Sequence, residues 1–154
     1  MKKRSFIHYC IIVLLVLGCE QGRAQKPENW TAGQLMAPAD LATTLQSNKD
    51  IPVIYNVGPG AIIPHSIDIG MANEEKNLER FKEAISKLPK TTNIVVYCGC
   101  CPYEHCPNVR PAIDVLQKMK FTNYHLLDLP HNIKTDWIAK GYPVAQNKNN
   151  KTKG

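Results

Sequence analysis

The stretch from residue 93 to residue 120 constrains the fold more than any other part of this chain. It begins with the apolar run Ile94-Val95-Val96-Tyr97, which has no charged residue on either face. Such a strand is typical of a parallel sheet that is covered on both sides. A cysteine-rich loop follows, and after it an amphipathic pattern predicts a helix over residues 111–120. A strand, a loop and a helix in this order predict one unit of an α/β domain.

Strands and helices alternate over the rest of the chain as well. The patterns predict further helices over residues 38–46, 74–88 and 135–139, and strands over residues 50–57, 61–70 (in part) and 124–129. Residues 25–33 are interpreted as a linker or a first edge strand. We therefore expect an α/β fold in which helices flank both faces of one central, mostly parallel sheet.

The first 24 residues have the organisation of an export signal. A positive start, Lys2-Lys3-Arg4, precedes an apolar run from residue 6 to residue 17, which is shorter than the ~20 residues that a spanning helix needs. Cleavage after Ala24 predicts simple secretion. Alternatively, Val16-Leu17-Gly18-Cys19 resembles a lipobox, so that a lipidated Cys19 would attach the protein to a membrane. An uncleaved anchor is a third alternative, and all three predict an exported domain, periplasmic or secreted, where disulfides can persist.

The distribution of charge argues against nucleic acid as a partner. The chain carries 19 basic and 13 acidic residues, of which four and one lie in the predicted signal, so that 15 and 12 remain and the net charge is +3. Lys148, Lys151 and Lys153 account for that excess. They belong to residues 146–154, a polar tail that we predict to be disordered. The folded part therefore lacks the basic patch that nucleic-acid binding requires.

The cysteines of the predicted domain all fall within nine positions: Cys98, Cys100, Cys101 and Cys106. Cysteines so close in sequence cannot close the long loops that stabilise a disulfide-rich fold, so they concern one loop. Cys98 directly follows the buried strand and is expected to face the N-terminus of the next helix. The positive end of a helix favours the thiolate, which is the form that attacks sulfur or binds a metal.

The order of these elements resembles a single-domain rhodanese over residues 30–144. Ile94-Val-Val-Tyr-Cys98 is similar to the strand that delivers the catalytic cysteine in that family. The stretch from Arg110 to Tyr124, the closing segment Trp137-Ile-Ala-Lys-Gly-Tyr-Pro-Val144 and the segment Ile63-Pro64-His65-Ser66-Ile67 also resemble rhodanese counterparts. The resemblance implies a rhodanese-like three-layer fold over residues 25–145 and a sulfurtransferase that forms a persulfide on Cys98.

The chain departs from the rhodanese pattern in two places. Rhodaneses usually carry Asp-Val-Arg after the second strand, where this chain has Asn56-Val57-Gly58. Their catalytic loop is usually short, whereas Arg110 lies twelve positions after Cys98 and three further cysteines intervene. These departures support an alternative in which the domain is a non-catalytic binding module.

The predicted site is built around the cysteine loop. Cys98 is expected to take a sulfane sulfur from a small donor such as thiosulfate, and Arg110 to bind that anion. Cys101 has Cys-x-x-Cys spacing from Cys98 and is the leading candidate to resolve the persulfide, a role that Cys100 or Cys106 could also take, with a thiol as the final acceptor. The remaining residues expected to line the substrate site are Gly99, Cys100, His105 and Cys106. Backbone N–H groups of the loop are expected to stabilise the sulfur anion, without a metal or another cofactor.

Two alternatives for the cluster remain open. Four thiols and His105 are enough donors for zinc or copper(I), although the cluster lacks the two separated Cys-x-x-Cys pairs of a typical zinc site. Attack on Cys98 by a second thiol would instead give a thiol–disulfide enzyme or a redox switch. The order Cys-Gly-Cys-Cys-Pro after a strand also resembles a thioredoxin-like motif, but the elements that follow fit that fold less well.

Overall fold

The computed structural model describes residues 30–146. The predicted export signal and residues 147–154 of the predicted tail lie outside the described residues. Within residues 30–146, every helix is too short or too polar to cross a membrane.

Strands and helices alternate along the described chain, as the sequence patterns predict. The strands are β1 (Leu35–Met36), β2 (Val53–Asn56), β3 (Ile67–Asp68), β4 (Ile94–Tyr97) and β5 (Tyr124–Leu127). The α-helices are α1 (Pro38–Ser47), α2 (Glu75–Ser86), α3 (Val109–Lys118) and α4 (Ile133–Asp136). Short 3-10 turns cover Ala32–Gln34, Tyr103–His105 and Ile138–Lys140.

The five strands form one sheet in the order β1-β5-β4-β2-β3. Every pairing in it is parallel, so the expected mostly parallel sheet is confirmed. β4 lies at the centre, where Val95 pairs with Ile54 of β2 and with His125 of β5. Because the strands are parallel, the loops that follow β2 and β4 leave the sheet at the same edge.

The two faces of the sheet carry separate apolar layers, which makes the domain three layers thick. On one face, α2 and α3 pack Phe81 and Leu116 against Val96. On the other face, α1 packs against Tyr97, and Trp137 belongs to the same buried layer. The Trp137 side chain is fully buried and its Nε1 donates a hydrogen bond to the Pro143 carbonyl at 2.7 Å.

Two helices begin two residues earlier than the sequence predicts. α3 begins at Val109, two residues before the predicted start, because Pro111 is tolerated within a first turn whose N–H groups have no helical partner. The predicted helix over residues 135–139 is instead α4 followed by a 3-10 turn. α4 begins early because the side chain of Asn132 accepts hydrogen bonds from the backbone N–H groups of Lys134 and Thr135.

Candidate active site

The loops after β2 and β4 meet directly beside Cys98. The Val57 N–H donates a hydrogen bond to the Tyr97 carbonyl at 2.9 Å, which continues the pairing of the two strands. A Cβ atom added to Gly58 would lie 2.3 Å from the Sγ of Cys98. The missing side chain at residue 58 therefore provides the space that the Cys98 thiol occupies. The position where rhodaneses usually carry arginine is thus one where this arrangement leaves no room for a side chain.

Asn56 fixes the loop that presents Gly58. Its side chain is fully buried, and its amide nitrogen donates hydrogen bonds to the Gly58 carbonyl at 2.8 Å and to Oδ1 of Asp68 at 3.0 Å. Its Oδ1 in turn accepts the Gly58 N–H at 3.3 Å. A carboxylate at residue 56 could not donate the first two bonds. The neutral amide therefore suits this loop better than the aspartate usual in rhodaneses.

The loop after β4 gathers its four sulfur atoms into one cluster. Sγ of Cys98 lies 3.3 Å from that of Cys100, which lies 3.2 Å from that of Cys101. The sulfur of Cys106 completes the group, and all four lie within 4.8 Å of one another. All four residues are free thiols, since a disulfide bond would bring two sulfurs to about 2.05 Å.

The cluster is held in place by contacts with the segment after β5. The Ile133 N–H donates to the Gly99 carbonyl at 3.0 Å, and the Tyr103 N–H donates to the Leu129 carbonyl at 3.3 Å. A Cβ on Gly99 would lie 2.9 Å from that of Ile133. Gly99, which we expected to line the substrate site, thus allows the loop to approach α4 closely.

Asn108 is a site residue that the sequence prediction missed. It precedes α3 and is 3 % exposed. Its amide nitrogen donates to the Cys98 sulfur at 3.6 Å, while its Oδ1 accepts the Asn73 N–H at 3.2 Å. An asparagine just before a helix usually caps the first turn. Here it makes no such bond, because its side chain turns to the thiol instead.

The surroundings of Cys98 favour its thiolate. Donation by the Cys106 thiol is the main reason why the pKa of Cys98 falls from 9.0 to about 5, even though burial opposes the shift. The backbone N–H and the thiol of Cys100 and the amide of Asn108 lower it further. One backbone donor thus acts beside three side-chain donors, where we expected mainly backbone N–H groups.

The neighbouring thiols hold their protons more tightly. The pKa of Cys106 is raised because its proton is donated to Cys98 and because it is buried. Burial, followed by interaction with the Cys101 and Cys98 thiols, raises the pKa of Cys100 to about 12. At neutral pH Cys98 is therefore a thiolate, while Cys100 and Cys106 beside it are protonated.

Arg110 and His105 lie at the outer side of the loop. The guanidinium of Arg110 donates to the Glu104 carbonyl at 2.9 Å, and its central carbon lies 5.5 Å from the centre of the Trp30 ring. It lines a cavity of about 270 Å³ together with Trp30 and Asp114. His105 is exposed at the end of the 3-10 turn.

Comparisons with known proteins bear on the fold. No protein-family model matches the sequence, and no curated protein matches it. Several solved structures are similar. The BH2092 protein of Bacillus halodurans has 16% identity and a TM-score of 0.56 over 92% of this chain and 84% of that one. A protein from Lactobacillus plantarum has 15% identity and a TM-score of 0.55 over 73% and 88%.

A rhodanese-like structure is among the similar proteins. The solution structure of the rhodanese-like domain from the Alr3790 protein of Anabaena sp. has 19% identity to this chain and a TM-score of 0.53. The alignment covers 79% of this chain and 85% of that one. At such identities the likeness concerns the fold alone. Together with the parallel five-stranded sheet between two helical layers, it confirms the expected fold class: the domain has a rhodanese-like α/β fold.

Proposed function

We propose that the protein is an exported sulfurtransferase whose Cys98 carries sulfur as a persulfide. The observation that supports this most is the buried Cys98 thiolate at the end of β4, with its low pKa and the hydrogen bond that it accepts from the Asn108 amide. A thiolate at neutral pH needs no general base before it attacks a sulfane sulfur. Thiosulfate is the simplest donor of this class.

The proposed first half-reaction is a displacement at sulfur. The Cys98 thiolate attacks the outer sulfur of thiosulfate, a sulfur–sulfur bond to Cys98 forms, and the sulfur–sulfur bond of thiosulfate breaks. Its electron pair leaves with sulfite, so total charge is conserved. The Cys98 sulfur stays in the space beside Gly58, where the Cys106 thiol and the Asn108 amide can donate to the persulfide.

The second half-reaction returns the enzyme to its starting state. An acceptor thiolate attacks the outer sulfur of the persulfide, and Cys98 leaves as a thiolate. A low pKa of the leaving thiol speeds such an exchange. The same donors therefore favour both loading and release.

The test is to incubate the purified protein with thiosulfate and to measure its mass. We expect one added sulfur atom, which peptide mapping places on Cys98, and we expect Cys98→Ser to take up none. Cys101→Ser is the matched control and should still load. If the wild-type protein takes up no sulfur, or if Cys98→Ser loads as well as the wild type, the proposed activity is wrong.

Export has its own test, because it rests on residues 1–24. The mass of the protein recovered from a producing bacterium should correspond to a chain that begins at Gln25, or at Cys19 with attached lipid. Recovery of the full-length chain from the cytoplasm would contradict export.

A second candidate function is the binding of a thiophilic metal ion. It is favoured by the mutual distances of the four sulfurs, all within 4.8 Å. Four thiolates at about 2.3 Å from a tetrahedral zinc ion lie about 3.8 Å apart, so small side-chain movements would suit zinc or copper(I). Such an ion would engage Cys98 and exclude sulfur loading.

Cobalt(II) distinguishes the two candidates, since thiolate ligation gives it strong charge-transfer absorption. If the cluster binds a metal ion, cobalt(II) should bind stoichiometrically to protein purified without oxygen, and Cys106→Ser should lose that binding. Loading with thiosulfate in the absence of cobalt binding would support sulfur transfer instead.

A further inference from the structure

The four thiols differ in their access to solvent. Cys98 and Cys106 are buried, with 3 % and 1 % of their surfaces exposed, while Cys101 is half-buried and Cys100 is exposed. A persulfide on Cys98 would lie inside the loop. The thiol of a large acceptor would therefore contact the outer surface of the loop before it could reach that persulfide. The exposed sulfur in contact with Cys98 is that of Cys100, at 3.3 Å.

We propose that Cys100 is a further catalytic residue, which takes the sulfane sulfur from Cys98 and presents it to a macromolecular thiol. This inference rests on the proposed sulfur transfer. It assigns the transfer of sulfur from Cys98 toward the acceptor to Cys100, whereas the Cys-x-x-Cys spacing in the sequence favoured Cys101. The sulfur of Cys101 contacts that of Cys100 at 3.2 Å. Cys101 therefore follows Cys100 in the row of sulfur contacts that begins at Cys98.

The transfer balances without an oxidant or a reductant. The Cys100 proton moves to the terminal sulfur of the Cys98 persulfide, and the Cys100 thiolate then attacks that sulfur. The bond between the terminal sulfur and Cys98 breaks, and its electron pair returns to Cys98. Cys100 now carries the protonated persulfide, and Cys98 is again a thiolate. The net charge of the pair is the same before and after.

The environment of the two thiols favours this direction of transfer. The donors around Cys98 stabilise its thiolate and so make it a good leaving group. Cys100 has the higher pKa, and a thiolate of higher pKa is the stronger nucleophile once formed. The competing attack, on the inner sulfur, would expel hydrosulfide and leave a Cys98–Cys100 disulfide.

The experiment compares Cys100→Ser with the wild type, with Cys101→Ser as the variant of the other candidate exit residue, and with Glu83→Gln, an exposed substitution on α2, as the matched control. Each protein is loaded with thiosulfate labelled in its outer sulfur and freed of excess donor. Label release is then followed with cyanide, a small acceptor that can enter the loop, and with a thiol tethered to a dextran polymer, which cannot. Peptide mapping of alkylated samples shows which cysteine holds the label.

We expect Cys100→Ser to load on Cys98 and to react with cyanide as the wild type does. Its transfer to the dextran thiol should be at least about tenfold slower, because the neighbouring nucleophile is lost. Cys101→Ser should slow this transfer less than Cys100→Ser does, Glu83→Gln should transfer normally, and the wild type should hold label on both Cys98 and Cys100.

Equal rates of transfer to the dextran thiol in Cys100→Ser and the wild type would overturn the relay while leaving the loading of Cys98 intact. So would hydrosulfide release from the loaded wild type together with a Cys98–Cys100 disulfide. Absence of label on the wild type would refute the proposed sulfur transfer itself and the relay with it.

Discussion

The loops after β2 and β4 leave the sheet side by side but differ in chemistry. Where the first begins, the segment Asn56-Val57-Gly58 contains no ionisable side chain, and the Asn56 amide is hydrogen-bonded to Gly58 and to Asp68. The second gathers four free cysteines, and Cys98 among them is a thiolate at neutral pH. The comparison separates two requirements of a reactive cysteine: one loop supplies the nucleophile and its donors, and the other supplies the space in which it sits.

A site can therefore depend on a residue that has no functional group. Gly58 contributes neither charge nor hydrogen-bonding side chain, yet the nearest atom that a Cβ there would meet is the Cys98 sulfur. Substitutions can test whether the two loops have these separate roles, first in the loop after β2, which provides space for Cys98, and then in the loop after β4, which provides the thiolate and its hydrogen-bond donors.

The largest effect is expected from Gly58→Ala. The new methyl group would lie 2.3 Å from the Cys98 sulfur, so the thiol must move out of its donors' reach. Displacement of a reacting atom by about 1 Å can cost about a hundredfold in rate, and we expect a loss of that order in the loading of Cys98 by thiosulfate. Gly33→Ala is the matched control, because a Cβ there would meet nothing within 4 Å. Loading of Gly58→Ala at the wild-type rate would show that the space beside Cys98 is not needed.

The next largest effect is expected from Asn108→Asp. The carboxylate can still accept the Asn73 N–H, but it replaces the donor to Cys98 with a negative charge. A like charge disfavours the thiolate, so the pKa of Cys98 should rise from about 5 by about two units. Wild-type Cys98 should react fully with iodoacetamide above pH 5 and lose reactivity as the pH falls through 5.

The midpoint of that pH profile, measured by peptide mapping, should move upward in Asn108→Asp. Asn123→Asp is the matched control, since Asn123 is exposed and its amide bonds to the Thr91 carbonyl. An unchanged midpoint in Asn108→Asp would mean that the amide is not a donor to the thiolate in solution.

A smaller shift is expected from Cys106→Ala. Donation by the Cys106 thiol is the main cause of the low pKa of Cys98. A hydrogen bond to a charged group is worth about 1.5–3 kcal/mol, and one pKa unit corresponds to about 1.4 kcal/mol. The pKa of Cys98 should thus rise by about one to two units, read from the same alkylation profile. Cys106→Ser keeps a donor and should shift less. If the serine and alanine variants shift equally, the role of Cys106 is packing.

The architecture was predictable because its signals are local. The run Ile94–Tyr97 is apolar on both faces, and all four of its residues are buried in the centre of the sheet. Leu78, Phe81 and Ile85 recur at helical spacing, and α2 buries Phe81 and Ile85 as that period requires. Such patterns reflect neighbours along one element, and so they can be read without knowing the fold.

The details of the site were less predictable because they depend on contacts between distant residues. Gly58 and Cys98 are forty positions apart, and their contact follows from the pairing of β2 with β4. The sequence showed only that a charge usual in rhodaneses is missing at residue 58. Asn108 was overlooked because the helix was expected to begin at Pro111, which placed Asn108 in the loop. The preference for asparagine at helix N-caps could have indicated a helix start at Asn108. It could not have predicted that the side-chain amide points toward Cys98.

The smallest effect is expected from Arg110→Gln. We predicted from the sequence that Arg110 binds the anionic donor, but its guanidinium lies over Trp30 and donates to the Glu104 carbonyl. Contacts of this kind stabilise the loop by about 1 kcal/mol, and such an energy corresponds to about a fivefold change in a rate or equilibrium constant. The KM for thiosulfate and kcat should therefore each change by less than about fivefold in steady-state assays. Arg110→Lys retains the charge and serves as the matched variant. A tenfold rise in KM for the glutamine variant, with recovery in the lysine variant, would instead establish donor binding by Arg110 and extend the chemistry of the loop onto the first turn of α3.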